Sequence, residues 1–305
     1  MATERGTLFD DVLVKDLISK VRGKSALAKL SGQTPIPFNG QKEFVFSLDS
    51  EVDIVAEGGA KSEGGLTVTP VVIRPIKFEY GARISDEFMY ASEEEQIDIL
   101  SAFNDGFAAK IARGFDLAAF HGVNPRTGAA SAVVGTNCFD SKVSQKVTYA
   151  SATPDDNLED AVALVHAADG DVTGMALSAA FAGQMAKVKA NNVSQYPEFK
   201  FGAEPDSLGG MNIAVNRTLD DMSGEATETH DIFDKAIVGD FAGAFKWGYA
   251  KEIPTEIIQY GNPDNSNAGD LKGHNQIYIR AEMYLGWGII VPAWFARVTE
   301  SRAKS

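Results

Sequence analysis

The sequence predicts a mixed α+β fold, and three observations carry that reading. Ile76, Phe78, Tyr80, Ala82 and Ile84 alternate with Lys77, Glu79, Gly81 and Arg83, a period-2 run with one apolar face. Ile97, Leu100, Phe103, Phe107, Ile111, Phe115 and Ala118 recur at steps of three and four, the spacing of a long amphipathic helix. Beyond residue 150 helical and strand patterns intermix, and the chain closes in further strands.

The elements follow in order. Within residues 1–34, Leu13, Leu17 and Val21 share a helical stripe, in a segment too short to fold without a partner surface. Residues 36–84 read as β. Phe44, Phe46 and Leu48 alternate with Glu43, Val45 and Ser47, and the second run is the one over 76–84. Between the two runs lie residues 56–65, where Gly58, Gly59, Gly64 and Gly65 make a flexible turn. The expectation is a long hairpin built from those two runs. A lone two-stranded hairpin is marginally stable in water, so it needs a surface to lie on.

Ser92-Glu93-Glu94-Glu95 forms a capping box, with Ser92 as N-cap and Glu95 at the third helical position. The helix that follows should run about seven turns to Gly122, before the turn cluster Asn124-Pro125-Arg126-Thr127-Gly128. Pro154 suits a first helical position, with Leu158, Val162 and Val165 on one face. Another helix follows Ser178, with Phe181, Met185 and Val188 at helical spacing. Strands are expected over 211–215, 236–241 and 256–260. Last come a strand over 276–285, a turn at Gly286 and Gly288, and a strand over 289–292.

A chain of 305 residues with 44% hydrophobic content has apolar mass for one or two cores. No apolar run approaches the roughly 20 residues of a membrane helix, and the N-terminus lacks a basic-then-apolar signal layout. The expectation is a soluble protein starting at its own Met, with no membrane partner. Cys138 is the single cysteine, which excludes an intrachain disulfide. Net charge is −14, and residues 151–275 carry 8 basic against 20 acidic side chains, or −12. A protein gripping DNA through its phosphates needs a basic face, so sequence-specific nucleic-acid binding is not expected.

Familiar catalytic patterns fail on inspection. Gly59-Ala60-Lys61-Ser62 has alanine where a phosphate-binding loop needs glycine, and Glu63-Gly64-Gly65 leads into a strand rather than a helix. His121, His166, His230 and His274 stand in no metal-ligand spacing. Asp155-Asp156 and Asp220-Asp221 lack a loop of spaced oxygen ligands and suit capping and turns. No catalytic, cofactor-binding or metal-ligating residue emerges, and the chain is expected not to be an enzyme.

Five segments, in order, resemble one family. Val55-Ala56-Glu57-Gly58 matches its hairpin region. Arg83-Ile84-Ser85-Asp86-Glu87-Phe88 matches the approach to its long helix, and Phe115-Asp116-Leu117-Ala118-Ala119-Phe120-His121-Gly122 the end of that helix. Val238-Gly239-Asp240-Phe241 is similar to a late strand-turn signature, and Val291-Pro292-Ala293-Trp294-Phe295-Ala296-Arg297-Val298 to the closing strand. Together they resemble the Hong-Kong-97-type capsid fold of tailed-bacteriophage major capsid proteins, which encapsulins share.

The resemblance implies an N-terminal arm over 1–34 and a hairpin extension, the E-loop, over 35–84. It implies a peripheral domain with a spine helix over 85–150, an inserted axial domain over 151–275, and closing peripheral strands over 276–305. It implies a subunit that self-assembles as hexamers and pentamers into an icosahedral head shell. That shell encloses double-stranded DNA without sequence-specific contacts, and an encapsulin-type nanocompartment shell is the alternative. A scaffolding protein supplied separately and a portal would be partners, and assembly would occur in the host cytoplasm before the shell becomes part of the virion. Cofactors are not implied. Intersubunit contacts are expected at Leu13, Leu17, Glu57, Gly58, Gly59, Lys61, Gly64 and Gly65. Some relatives crosslink a hairpin lysine to an asparagine beside a glutamate, and by position these would be Lys61, Asn275 and Glu282. Strand alternation sets Asn275 and Glu282 on opposite faces, so they could serve one bond only from different subunits.

Overall fold

The computed structural model describes residues 25–48, 50–220 and 232–301. Leu13 and Leu17 lie outside the described residues. Helix α1 (Ala26–Leu30) leads to a hairpin of β1 (Gln41–Leu48) and β2 (Leu66–Ile73), then β3 (Ile76–Ser85) and the long helix α2 (Glu93–His121). Next come α3 (Phe139–Lys142), β4 (Lys146–Thr148), α4 (Pro154–Ala167), β5 (Gly174–Ser178) and α5 (Ala179–Met185). A small hairpin pairs β6 (Lys189–Ala190) with β7 (Val193–Ser194). The remaining strands are β8 (Ser207–Leu208), β9 (Met211–Asn216), β10 (Ile232–Gly239), β11 (Phe245–Ile258), β12 (Gln276–Ile289) and β13 (Phe295–Ser301).

Two larger sheets organise the body. One is three-stranded, in the order β11-β12-β3, and antiparallel throughout. The other is six-stranded, in the order β4-β13-β10-β5-β9-β8, with parallel pairs at β13–β4 and β5–β9. Helix α2 lays Phe107, Ile111, Phe115 and Ala118 into a core shared with α1, with Met283, Leu285 and Trp287 of β12, and with Ile237 and Phe295 of the six-stranded sheet. A second core lies between that sheet and helices α4 and α5, with Leu158, Val165, Phe181, Met185, Ile213, Val238 and Val298 buried in it.

The long helix begins and ends where its caps require. The Ser92 side chain accepts from the Glu95 amide and the Glu95 carboxylate accepts from the Ser92 amide, which satisfies two otherwise orphaned donors. Gly122 takes the left-handed conformation at φ 71°, and its amide closes on the Ala118 carbonyl. Ile97, expected on the buried stripe, is half exposed, because the first turns of α2 extend beyond the main core.

Three strand assignments differ from expectation. The return strand of the hairpin is Leu66–Ile73, in register from Gln41 opposite Ile73 to Leu48 opposite Leu66. Pro70 weakens that strand's signal in the sequence, yet a proline is tolerated in a two-stranded ribbon with free edges. The run over 76–85 pairs instead with β12. Gly286 and Gly288 do not turn the chain but lie inside β12, which runs unbroken to Ile289. There they leave room for a crossing segment, since a Cβ on Gly288 would meet Ile73 Cγ1 at 2.8 Å and one on Gly286 would meet the Arg74 carbonyl at 3.2 Å. Finally, β11 pairs in the three-stranded sheet although it falls within 151–275, and β13 pairs in the six-stranded sheet although it falls within 276–305. Lys246, Gly248, Lys251 and Glu252 interrupt any alternation along β11, so its 14-residue length was not legible in the sequence.

Candidate assembly surfaces

The hairpin is seated firmly at its base and bare beyond it. Ile73 is buried, and the Lys246 ammonium on β11 pairs with Glu43 at 3.0 Å. Gly40 takes φ +86° with its Cα hydrogen against the Ile73 carbonyl, a close approach that a side chain would block. Past that anchor, Phe44, Phe46 and Leu48 on β1 stand opposite Pro70, Val68 and Leu66 on β2. Alternation puts all six on one face of the ribbon. That face is open to solvent: Phe46 is 65% exposed and Leu48 75% exposed. The loop beyond continues the trend, with Val52 92% and Ile54 97% exposed. A contiguous apolar strip of this kind marks a surface that another molecule covers.

The tip residues expected to make contacts occupy this loop. Glu57 and Gly58 form its turn, with the Gly59 amide donating to the Ala56 carbonyl at 2.9 Å. Glu57, Gly58, Gly59, Lys61 and Gly64 are exposed and Gly65 is half-buried. The other two crosslink candidates stand apart in structural role. Asn275 sits in the left-handed conformation just before β12, its carbonyl accepting from the Asp86 amide at 3.0 Å. Glu282 lies buried in the middle of β12, paired with Lys77 at 2.6 Å and Arg280 at 3.4 Å.

Two buried polar clusters hold the body beneath these surfaces. The first clasps the end of the arm. The Asp116 carboxylate, on α2, accepts from the Ser25 hydroxyl at 2.5 Å, from the amides of Ala26 at 2.9 Å and Leu27 at 3.4 Å, and from the Asn216 amide group at 2.5 Å. One side chain thereby joins α1, α2 and β9. Burial raises its pKa from 3.8 to about 6, against the pull of those four donors. The second cluster joins the end of α2 to α3, β10 and β13. Arg297 Nε donates to both Asp234 oxygens at 2.9 and 3.1 Å, its Nη1 to the Asp140 carbonyl at 3.0 Å, and its Nη2 to the Asp140 carboxylate. His121 Nδ1 meets Asp140 at 2.9 Å and its Nε2 the Thr218 carbonyl at 3.0 Å. Burial alone would lower the His121 pKa, but the charges of Asp140 and Asp234 outweigh it and the net direction is upward. Burial pushes the Asp234 carboxyl upward, while Arg297 in direct contact pulls it back.

His121, Asp140 and Asp234 bring possible metal-ligand atoms within 4.8 Å of one another, which their sequence spacing does not reveal. The Arg297 guanidinium already bridges the two carboxylates and supplies the positive charge. The chemistry of this donor set is that of a structural ion network, whose members stabilise only as a complete group. Ser25, Asn216, Asp234 and Asp140 escaped the sequence reading. Hydrogen bonds across 91 and 100 residues, as from Ser25 and Asn216 to Asp116, leave no periodic signal.

Comparison with known proteins gives this architecture its place. The family model described as "Phage capsid family" matches residues 6–299. A solved structure from Mycobacterium phage Ogopogo superposes with a TM-score of 0.77 at 33% identity, covering 91% of this chain and 92% of that one. One from Gordonia phage Cozz gives a TM-score of 0.72 at 23% identity over 91% and 86%. The capsid of an empty GTA particle shares the fold at a TM-score of 0.62 and 14% identity, over 92% and 97%. A search of curated proteins finds no match. With a family model spanning residues 6–299 and a phage structure 33% identical over 91% of its length, this chain belongs to the phage capsid family and is a structural subunit of a head shell.

Proposed function

We propose that this chain is the major capsid protein of a tailed phage. Many copies of it close into an icosahedral shell of hexamers and pentamers around double-stranded DNA. The observation that carries the proposal is the exposed apolar face of the β1–β2 ribbon, next to a base locked into the body. A free subunit would keep that strip in water, whereas a shell buries it copy after copy. The chain divides into an arm over 1–34, a hairpin extension over 35–84, a peripheral domain over 85–150, an axial domain over 151–275 and closing strands over 276–305, with β11 and β13 pairing across those bounds. The hairpin tip, including Glu57, Gly58, Gly59, Lys61, Gly64 and Gly65, makes contacts between subunits, as do Leu13 and Leu17 of the arm.

The chain's net charge of −14 fits a container that encloses DNA without adhering to it. Assembly takes place in the host cytoplasm, with a separate scaffolding protein and a portal, and the chain performs no chemistry on a substrate. No specific observation favours the encapsulin-type reading. Expression alone and with a scaffold, followed by sedimentation and electron microscopy, tests the proposal. Closed hollow particles are expected. A compact monomer that persists at high concentration under both conditions would overturn it.

A further inference from the structure

Asn216, which ends β9, and Thr218 just beyond it lie between the two buried polar clusters and join them. The Asn216 amide group donates to Asp116 Oδ2 at 2.5 Å, and its oxygen accepts from the Thr218 amide at 2.5 Å and the Thr218 hydroxyl at 2.6 Å. The Thr218 carbonyl in turn accepts from His121 Nε2 at 3.0 Å. A continuous line of hydrogen bonds therefore runs from Ser25 through Asp116, Asn216, Thr218 and His121 to Asp140, Arg297 and Asp234. His121 carries both ring protons in this line. A backbone carbonyl only accepts, so Nε2 holds one proton. Nδ1 faces Oδ2 of Asp140, whose Oδ1 accepts from Arg297, so the carboxylate is the acceptor there too. The upward direction of the His121 pKa agrees with that assignment.

We infer that this line works as one relay, coupling the seating of α1 on the long helix to the ion network that ties α2 to β10 and β13, so that both hold or both let go. The inference goes beyond the shell reading and does not depend on it. The line has little slack. Asn216 is held at both ends of one planar amide, and Thr218 through its amide, its hydroxyl and its carbonyl. Ser25, Asp116, Thr218, His121, Asp234 and Arg297 are all buried. Breaking one link strands a buried donor or acceptor, which costs more than an intact hydrogen bond contributes, so partial opening is disfavoured. The relay also runs between the two main cores. Phe120 and Leu219, beside His121 and Thr218, pack in the first, while Ala236 and Val298, near Asp234 and Arg297, pack in the second. Coupling of this kind is reciprocal: lifting Ser25 off Asp116 loosens the contacts of His121, and disturbing His121 loosens α1. A pull on the chain ahead of Ser25 thereby reaches the joint between the cores.

A line of contacts is a coupling only when a change at one end is felt at the other. Amide hydrogen exchange on free full-length subunits tests this. In the unmodified chain, with denaturant raised below the unfolding transition, the Ala26, Leu27 and Thr218 amides should share one opening. That opening should come before the one that exposes Ile237, inside the six-stranded sheet. His121→Gln removes one of the two ring donors and should speed exchange at Ala26 and Leu27 about tenfold, although their amides bond to Asp116 and not to residue 121. In an Asn216→Ala background, which cuts the line, the same substitution should add no further change at those two amides. Separate openings for Ala26 and Thr218, or opening only with the whole fold, would overturn the inference. So would no effect of His121→Gln at Ala26 and Leu27, or an equal effect in both backgrounds. If either variant fails to fold, the denaturant series on the unmodified chain decides alone.

Discussion

Phe107 and Ile111 sit where α2 meets both larger sheets, and each is almost wholly buried. Replacing either with Ala removes a large side chain from a packed site and should destabilise the subunit by about 2–5 kcal/mol. Denaturant unfolding of free subunits measures this, and neutrality at both positions would contradict the packing. Asp116 makes a different kind of contribution. Its pKa rises from 3.8 unfolded to about 6 folded, so the folded state holds the proton more tightly. The stability it contributes is full below 3.8 and is lost as pH rises through about 6. In Asp116→Asn that part of the pH dependence should vanish. The variant should also be weaker across the range, because an amide nitrogen replaces one carboxylate oxygen and cannot accept, so either the Ser25 and Leu27 donors or the Ala26 and Asn216 donors lose their acceptor. Unfolding midpoints collected across that window check both points, and an unaltered pH slope would exclude Asp116 as the titrating group. The Asp116 environment was not legible in the sequence beyond its place in a family-like helix end. Its partners come from three separated elements, and only the fold brings them together.

Among the elements, those with local rules were the most legible. A capping box and a terminal glycine set both ends of α2, and period-3.6 spacing gave its buried face from Leu100 onward. Strand partners were less legible, since β3 reads equally well as a hairpin arm or as a sheet member. Only the pairing with β12 decides it, and that partner lies about 200 residues away in the chain. For the ribbon, the alternation of Phe44, Phe46 and Leu48 was visible, but nothing local shows whether an apolar face turns inward or outward. In the structure it turns outward and stands open to solvent. Phe46→Asp should leave the subunit folded and soluble, with circular dichroism unchanged, because the side chain supports no core. The same change should prevent particle formation. Wild-type particle yields from this variant would show that the apolar face is not an interface.

At the scale of the whole molecule, the described residues form three packed cores, the smallest around Phe88, Leu100, Ile277 and Ile279, with the hairpin extension seated on the body at its base. Glu282, the glutamate that the family resemblance places as base for a covalent link between subunits, is committed to Lys77 and Arg280. Mature shells dissolved in denaturant should therefore run as one band near the chain mass of 32.6 kDa. A ladder of higher bands, abolished by Lys61→Ala, would contradict this. The outward-facing ribbon also sets how the shell responds to heat and cold. Removing apolar surface from water near room temperature is driven by entropy and weakens on cooling. The concentration at which subunits condense should therefore fall on warming from the cold room to body temperature, and chilled shells should shed subunits. Light scattering during temperature ramps measures that threshold directly. A threshold rising with temperature over this interval would mean that charge pairing, and not the strip from Phe44 to Leu66, holds neighbours together.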